Sequence, residues 1–183
     1  MKPIITLEFL EKINACGPAI AAYKEYKPGT ELRNVVQKTM ELDRFDWANN
    51  LLVEIMNKKQ QVSYAIFSAE LVIDISDDQD SRKAIEAAKN YLKRPSNKTK
   101  ELAKYAAKYA FFSSEESNCE YSSNSSAAAS CAAKVAAETI EYCKAHTYDA
   151  IIFACDAVKN STDRREVKSK IIEYGLNLIL NNN

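Results

Sequence analysis

One histidine, five cysteines and a crowd of carboxylates are the side chains of this sequence with the most chemical potential. His146 is the single imidazole, so any histidine-based proton transfer must use it. No Ser or Cys is assigned to it by spacing, and it reads as a capping or solvent-exposed residue just past a helix end. The cysteines are Cys16, Cys119, Cys131, Cys143 and Cys155. An odd number argues against a closed set of disulfides, and no C-x-x-C pair is present. The last four recur every twelve residues. Along one continuous helix, twelve residues rotate each thiol away from the last and separate them by about 18 Å. Only folding between separate helices could gather them, so they read as small core-filling residues. A zinc site of the common His/Cys patterns is not expected.

The carboxylates are denser. Asp74, Asp77, Asp78 and Asp80 lie within seven residues, next to Arg82. The run lacks the glycine and closing glutamate of a calcium-binding hand, so it reads as a solvated junction that starts a helix. Asp43 and Asp46 flank Arg44 and precede the only tryptophan, Trp47. Trp47 reads as core, with an interface anchor as the alternative. Tyr105 and Tyr109 stand one turn apart and can share a helix face. As candidate interface residues the sequence offers Asp43, Asp46, Trp47, Asp74, Asp78, Arg82, Tyr105 and Tyr109. It offers no catalytic residue, no metal ligand and no cofactor. Three functions are weighed: a protein-binding inhibitor, an enzyme or ligand binder using Asp43, Asp46, Asp74 and Asp78 with Arg82, and a nucleic-acid binder. Lys plus Arg equal Asp plus Glu at 25 each, so the chain has no general basic character and nucleic acid is the least expected partner.

The elements that must position these residues are helical. The 183 residues hold 3 Gly and 4 Pro, too few for a glycine-rich nucleotide fold or a turn-rich sheet. Apolar residues recur at helical spacing along most of the chain. Thr6 caps a first helix to Asn14, and Gly17-Pro18 restarts the chain. Pro28-Gly29-Thr30 marks a turn, with Thr30 as the next cap. Asp43, with Asp46 at capping-box spacing, is expected to cap the helix that carries Trp47. Residues 62–75 form the strongest core helix. Pro95 ends the helix that starts at Arg82, and Ser96 caps the next. Leu102, Ala106 and Tyr109 are expected to line one face of that helix, with Ala103, Ala107 and Ala110 beside them, small enough to let helices approach closely. Residues 113–126 read as a polar loop or weak helix. A helix from Ala127 to Lys144 and a junction at 146–149 follow. Ile151-Ile152-Phe153 is β-like locally, but no partner strand is apparent, so a helix is preferred. Ser161 opens the last helix, and Asn181-Asn182-Asn183 is a frayed end. The expectation is all-α: one compact domain over 1–183, with about nine or ten helices in an irregular, repeat-like array. No segment reads as a membrane span or a secretion signal, which points to the cytoplasm.

Several segments together resemble one family. They are Ile5-Thr6-Leu7-Glu8-Phe9-Leu10 with Asn14-Ala15-Cys16, Asp46-Trp47-Ala48-Asn49 before Leu51-Leu52, and Tyr64-Ala65-Ile66-Phe67-Ser68-Ala69-Glu70. The run from Arg82 to Leu92, the Ala-rich middle and Ile172-Glu173-Tyr174-Gly175-Leu176 complete the set. The sequence thereby resembles bacterial and phage immunity proteins of the Imm-5-like type over nearly its whole length. The resemblance implies an all-helical, non-catalytic protein that neutralises a toxin by binding it, or, in a phage, one that inhibits a host defence protein. It carries no family-wide catalytic set. Residues 113–126 depart from the family's more uniformly Ala-rich middle. Self-association through Ala-rich faces and tyrosines is a further expected property.

Overall fold

Helix follows helix because the sequence supplies stop and start signals at short intervals. The computed structural model describes residues 3–27 and 31–181. The turn at Pro28-Gly29-Thr30, the expected Thr30 cap, and Asn182 and Asn183 lie outside the described residues. Among those described, ten α-helices form: α1 (Leu7–Lys12), α2 (Gly17–Tyr26), α3 (Leu32–Glu41), α4 (Phe45–Ile55), α5 (Lys58–Glu70), α6 (Gln79–Lys93), α7 (Asn97–Glu116), α8 (Glu120–Ala137), α9 (Ile140–Asp156) and α10 (Ser161–Leu180). A 3-10 turn spans Ile73–Ile75. No strand is present among the described residues, and one isolated bridge joins Ile4 to Glu31. The expected all-α array is therefore the observed one. No described helix is long and apolar enough to cross a membrane.

Local capping explains the boundaries. The Thr6 hydroxyl accepts from the Phe9 N–H at 3.1 Å. Asn57 and Gln60 form a reciprocal capping box at α5, and Ser96 and Thr99 form one at α7. Each such cap satisfies N–H groups that a helix start leaves without partners, and is worth about 1 kcal/mol. Asp43 does not cap α4. It sits in the left-handed region at φ 55°, and Arg44 occupies the cap position without a side-chain bond. Val62–Ile75 is not one helix either; α5 ends at Glu70 and the chain tightens to a 3-10 turn. Residues 113–116 complete α7 and 120–126 begin α8, so only Ser117 to Cys119 interrupt the helices.

α8 is the central helix. It packs against α5, α6, α7 and α9. Ser125, Ser126 and nearly every residue from Ala128 to Ala137 are buried. Small side chains let four neighbours approach, and their hydroxyls bond across the seams. Ser130 donates to the Ala107 carbonyl at 2.8 Å, and Ser125 donates to that of Val72 at 2.7 Å. A glycine does similar work on α10. A Cβ at Gly175 would stand 2.9 Å from Tyr64 Cε2 and 3.0 Å from Leu52 Cδ1, so this position admits only hydrogen.

α8 and α9 form the hairpin that matters for chemistry. Two residues, Glu138 and Thr139, join them. So short a connection forces neighbouring antiparallel packing. The Cys143 thiol donates back to the Val135 and Thr139 carbonyls at 3.3 and 3.1 Å and pins the turn. This break falls inside the expected Ala127–Lys144 helix. In consequence residues 146–149 are not a junction but the middle of α9.

Candidate functional site

Placing residues 146–149 inside a helix changes their chemistry. His146 and Asp149 are three apart, so they project from one face. That face meets α8 where Cys131 lies buried. One donor atom from each of Cys131, His146 and Asp149 lies within 4.8 Å of the other two. Among the described residues this is the one grouping of three or more potential metal ligands. The expected non-enzymatic chain is corrected by this convergence, which places three potential ligand atoms together where the sequence offered none. The twelve-residue cysteine spacing misleads because the second and third ligands come from another helix and are not thiols.

The environment of the three ligands is graded. Cys131 is buried, His146 is partly buried and Asp149 is exposed. Burial pushes the Cys131 thiol up to about 12, against a smaller opposing effect of the Lys134 ammonium. Burial also lowers the His146 pKa, and Lys134 lowers it further. At neutral pH the imidazole is therefore neutral and the thiol protonated. His146 Nδ1 is buried without a hydrogen-bond partner. It stands 3.9 Å from Asp149 Oδ2, beyond hydrogen-bond reach. A buried unpaired nitrogen costs about 1–3 kcal/mol, and a bound cation would relieve it. Tetrahedral zinc, with bonds of about 2.0–2.3 Å, sets its ligand atoms roughly 3.3–3.8 Å apart. The three donor atoms lie within 4.8 Å of one another, so side-chain adjustments of at most about 1 Å bring them to that spacing.

Two concavities each reach one member of the triad. A groove of about 270 Å³ includes His146, Phe111 and three lysines, Lys104, Lys108 and Lys134. A cavity of about 600 Å³ includes Asp149 in its wall. It opens between α1 to α4 and α9, with Tyr23, Trp47 and Tyr148 as its aromatic surfaces. Volumes of this size accommodate small organic ligands. Arg44 bridges Asp46 through two bonds, Nε to Oδ1 at 3.0 Å and Nη2 to Oδ2 at 2.7 Å, and stacks 3.7 Å above the Trp47 ring. The guanidinium holds the Asp46 carboxyl below the usual range. Lys144 pairs with Glu54. The wall thus carries three cations, Lys38, Arg44 and Lys144, against three anions, Asp46, Glu54 and Asp149.

The residues singled out in the sequence fall at three places. Asp46 and Trp47 are on the cavity wall, while Asp43 is exposed in the preceding turn. Asp74, Asp78 and Arg82 gather around the start of α6. There Asp78 accepts from the Asp80 and Ser81 N–H groups and the Ser81 hydroxyl, and Arg82 bonds Asp74 at 3.1 Å. Tyr105 and Tyr109 are exposed on α7. Among the described residues these carboxylates build no three-ligand group. Of the five cysteines, Cys131, Cys143 and Cys155 are buried, and Cys16 and Cys119 are exposed; all are free thiols. The one sequence signal for the triad was His-x-x-Asp on a helix opposite a single cysteine in an alanine run.

Comparison with protein-family models, curated proteins and solved structures returned no match, so the resemblance to immunity proteins gains no support from them.

Proposed function

We propose that this protein binds a divalent transition metal, zinc foremost, through Cys131, His146 and Asp149, beside a cavity for a small organic ligand. The observation that carries the reading is the convergence of the three donor atoms within 4.8 Å. A thiolate and an imidazole select zinc over calcium or magnesium, which prefer oxygen ligands. Three protein ligands leave the fourth tetrahedral position open, the arrangement of catalytic zinc rather than structural zinc. Water held there would have its pKa brought to about 7, so metal-dependent hydrolysis is the reaction class that fits. Asp149 belongs to both the ligand set and the cavity wall. With its wall charges balanced, the cavity suits an uncharged or zwitterionic molecule.

Zinc titration of the metal-free protein tests this reading. One ion per chain is expected, with binding at least 100-fold weaker in Cys131→Ser and in His146→Gln. No binding by the folded wild type, or equal binding by both variants, would overturn it.

A second reading is the toxin-neutralising or defence-inhibiting binder that the resemblance implies. Its support is an exposed run of aromatic side chains on α7. Capture of one stoichiometric toxin or defence protein by tagged protein in its native host would support it. An empty capture with folded, abundant bait would count against it.

A further inference from the structure

The outer face of α7 is unusual in three ways. First, it is apolar where it meets solvent. Leu102, Tyr105, Tyr109 and Phe112 are 53, 62, 57 and 44% exposed. The buried face is the opposite one, formed by Ala103, Ala107, Ala110 and Ser114. The alanines expected beside the Leu102–Tyr109 face are the packed ones. Alanines dock this helix onto α8, and the large side chains are left outside.

Second, the exposed residues follow coiled-coil spacing. Intervals of three and four alternate from Leu102 to Tyr105, Tyr109 and Phe112, the a/d pattern of a helix-pairing seam. Extended one step each way, the same row reaches Lys98 and Glu116, both exposed. The row Lys98, Leu102, Tyr105, Tyr109, Phe112, Glu116 is symmetric in position about Ala107.

Third, the charges run against the helix dipole. The first turn of α7 has no acidic residue and the last turn no basic one. Lys98 and Lys100 open the helix, and Glu115 and Glu116 close it. An isolated helix favours the reverse order, by about 0.3–1 kcal/mol per charge. Among the described residues, neither Lys98 nor Glu116 joins an ion pair within the chain.

We infer that α7 pairs with α7 of a second copy of this chain, antiparallel, through its outer face, about a two-fold axis level with Ala107 along the helix. Every member of the row then meets a complement: Lys98 faces the second copy's Glu116, Leu102 its Phe112, and Tyr105 its Tyr109. These are the a-to-d layers of an antiparallel pair, and the interface is self-complementary as a two-fold dimer requires. A parallel pair would set Lys98 against Lys98 and Glu116 against Glu116. Charge thus favours the antiparallel orientation over the parallel one, and the positional symmetry of the row fits a second copy. The inference is independent of the metal site.

Sedimentation equilibrium over a concentration series tests it on the full chain. The wild type is expected to dimerise reversibly. Tyr105→Glu with Tyr109→Glu, at two exposed positions, is expected to weaken the dimer at least 100-fold with helicity unchanged, because these residues form its centre. Lys98→Glu alone and Glu116→Lys alone each set like charges together at both ends, weakening it several-fold to about tenfold. The double charge reversal restores it, which a parallel pair would not do. A wild type monomeric at its highest soluble concentration overturns the inference and leaves the stripe to another partner. So does a dimer that survives the two tyrosine changes. A double reversal that fails to rescue overturns the antiparallel pairing.

Discussion

The start of α6 and the α8–α9 hairpin both gather acidic or ligating side chains, and they do opposite things with them. At α6 the carboxylates of Asp74, Asp78 and Asp80 are each already engaged. Asp78 takes three hydrogen bonds, Asp74 meets Arg82, and Asp80 meets Lys83 at 2.7 Å. Burial pushes the Asp78 carboxyl up, but the bonds from Ser81 and Asp80 outweigh it and hold it below its usual value. At the hairpin the charge is sparse and the donor atoms are uncommitted: a buried thiol, an unpaired imidazole nitrogen and one exposed carboxylate. Charge density starts a helix. Unsatisfied ligand atoms that converge are what a metal site would use.

The largest effect that would sharpen this contrast is on metal affinity. Cys131→Ser should weaken zinc binding at least 100-fold, about 2.7 kcal/mol or more, whereas Asp78→Asn should leave it unchanged; calorimetric titration of both reads the difference. Asp149→Asn should cost less, about tenfold, because an exposed amide can still offer its oxygen. Zinc uptake at pH 7 should also release between about one and two protons per ion, one from the Cys131 thiol, which is protonated beforehand while His146 is not, and the rest from the bound water. Titration in buffers of different ionisation enthalpy counts those protons, and a count near zero would remove the thiolate from the ligand set.

Stability should separate the two regions in a second way. Asp78→Ala should destabilise the fold by about 1 kcal/mol through loss of the α6 cap, measured by urea unfolding. Removing Arg82 should cost under about 0.5 kcal/mol, since its partner Asp74 is 88% exposed and the pair is screened by water. pH divides the regions as well. His146 has a lowered folded pKa, so the unfolded chain takes its proton first. Its contribution is full above the unfolded value near 6.5 and declines as pH falls through that value to the folded one. The lowered Asp78 carboxyl contributes above its unfolded value near 3.8 and loses that only in stronger acid. Metal-free His146→Gln should therefore lack the decline below pH 6.5, and Asp78→Asn should lack only the acid one.

Much of the fold was legible because helix signals are local. Thr6, Ser96 and Pro18 act within one turn, and the structure uses them as the sequence predicts. The hairpin was not legible. Residues 138–139 carry no glycine or proline to announce a break, and Ala-His-Thr-Tyr-Asp lacks the apolar rhythm of a helix. Its helicity comes from burial of Thr147, Ala150 and Ile151 against the core, a tertiary effect. Once that break is misplaced, His146 and Asp149 separate from one face and the site vanishes. On α7 the alanine signal was legible: small side chains are what the close approach to α8 requires, and Ala103, Ala107 and Ala110 take that place, leaving Leu102 and Tyr109 outside.

Cobalt substitution tests the central claim most directly, because a cobalt–thiolate bond has its own charge-transfer absorption. Added to metal-free wild type, one equivalent of Co²⁺ should develop that band together with tetrahedral ligand-field bands, and one equivalent of zinc should abolish both. Cys131→Ser should show no thiolate band, and His146→Gln should not hold the tetrahedral spectrum. A wild-type spectrum like that of free aqueous cobalt, or a thiolate band that persists without Cys131, would contradict the account.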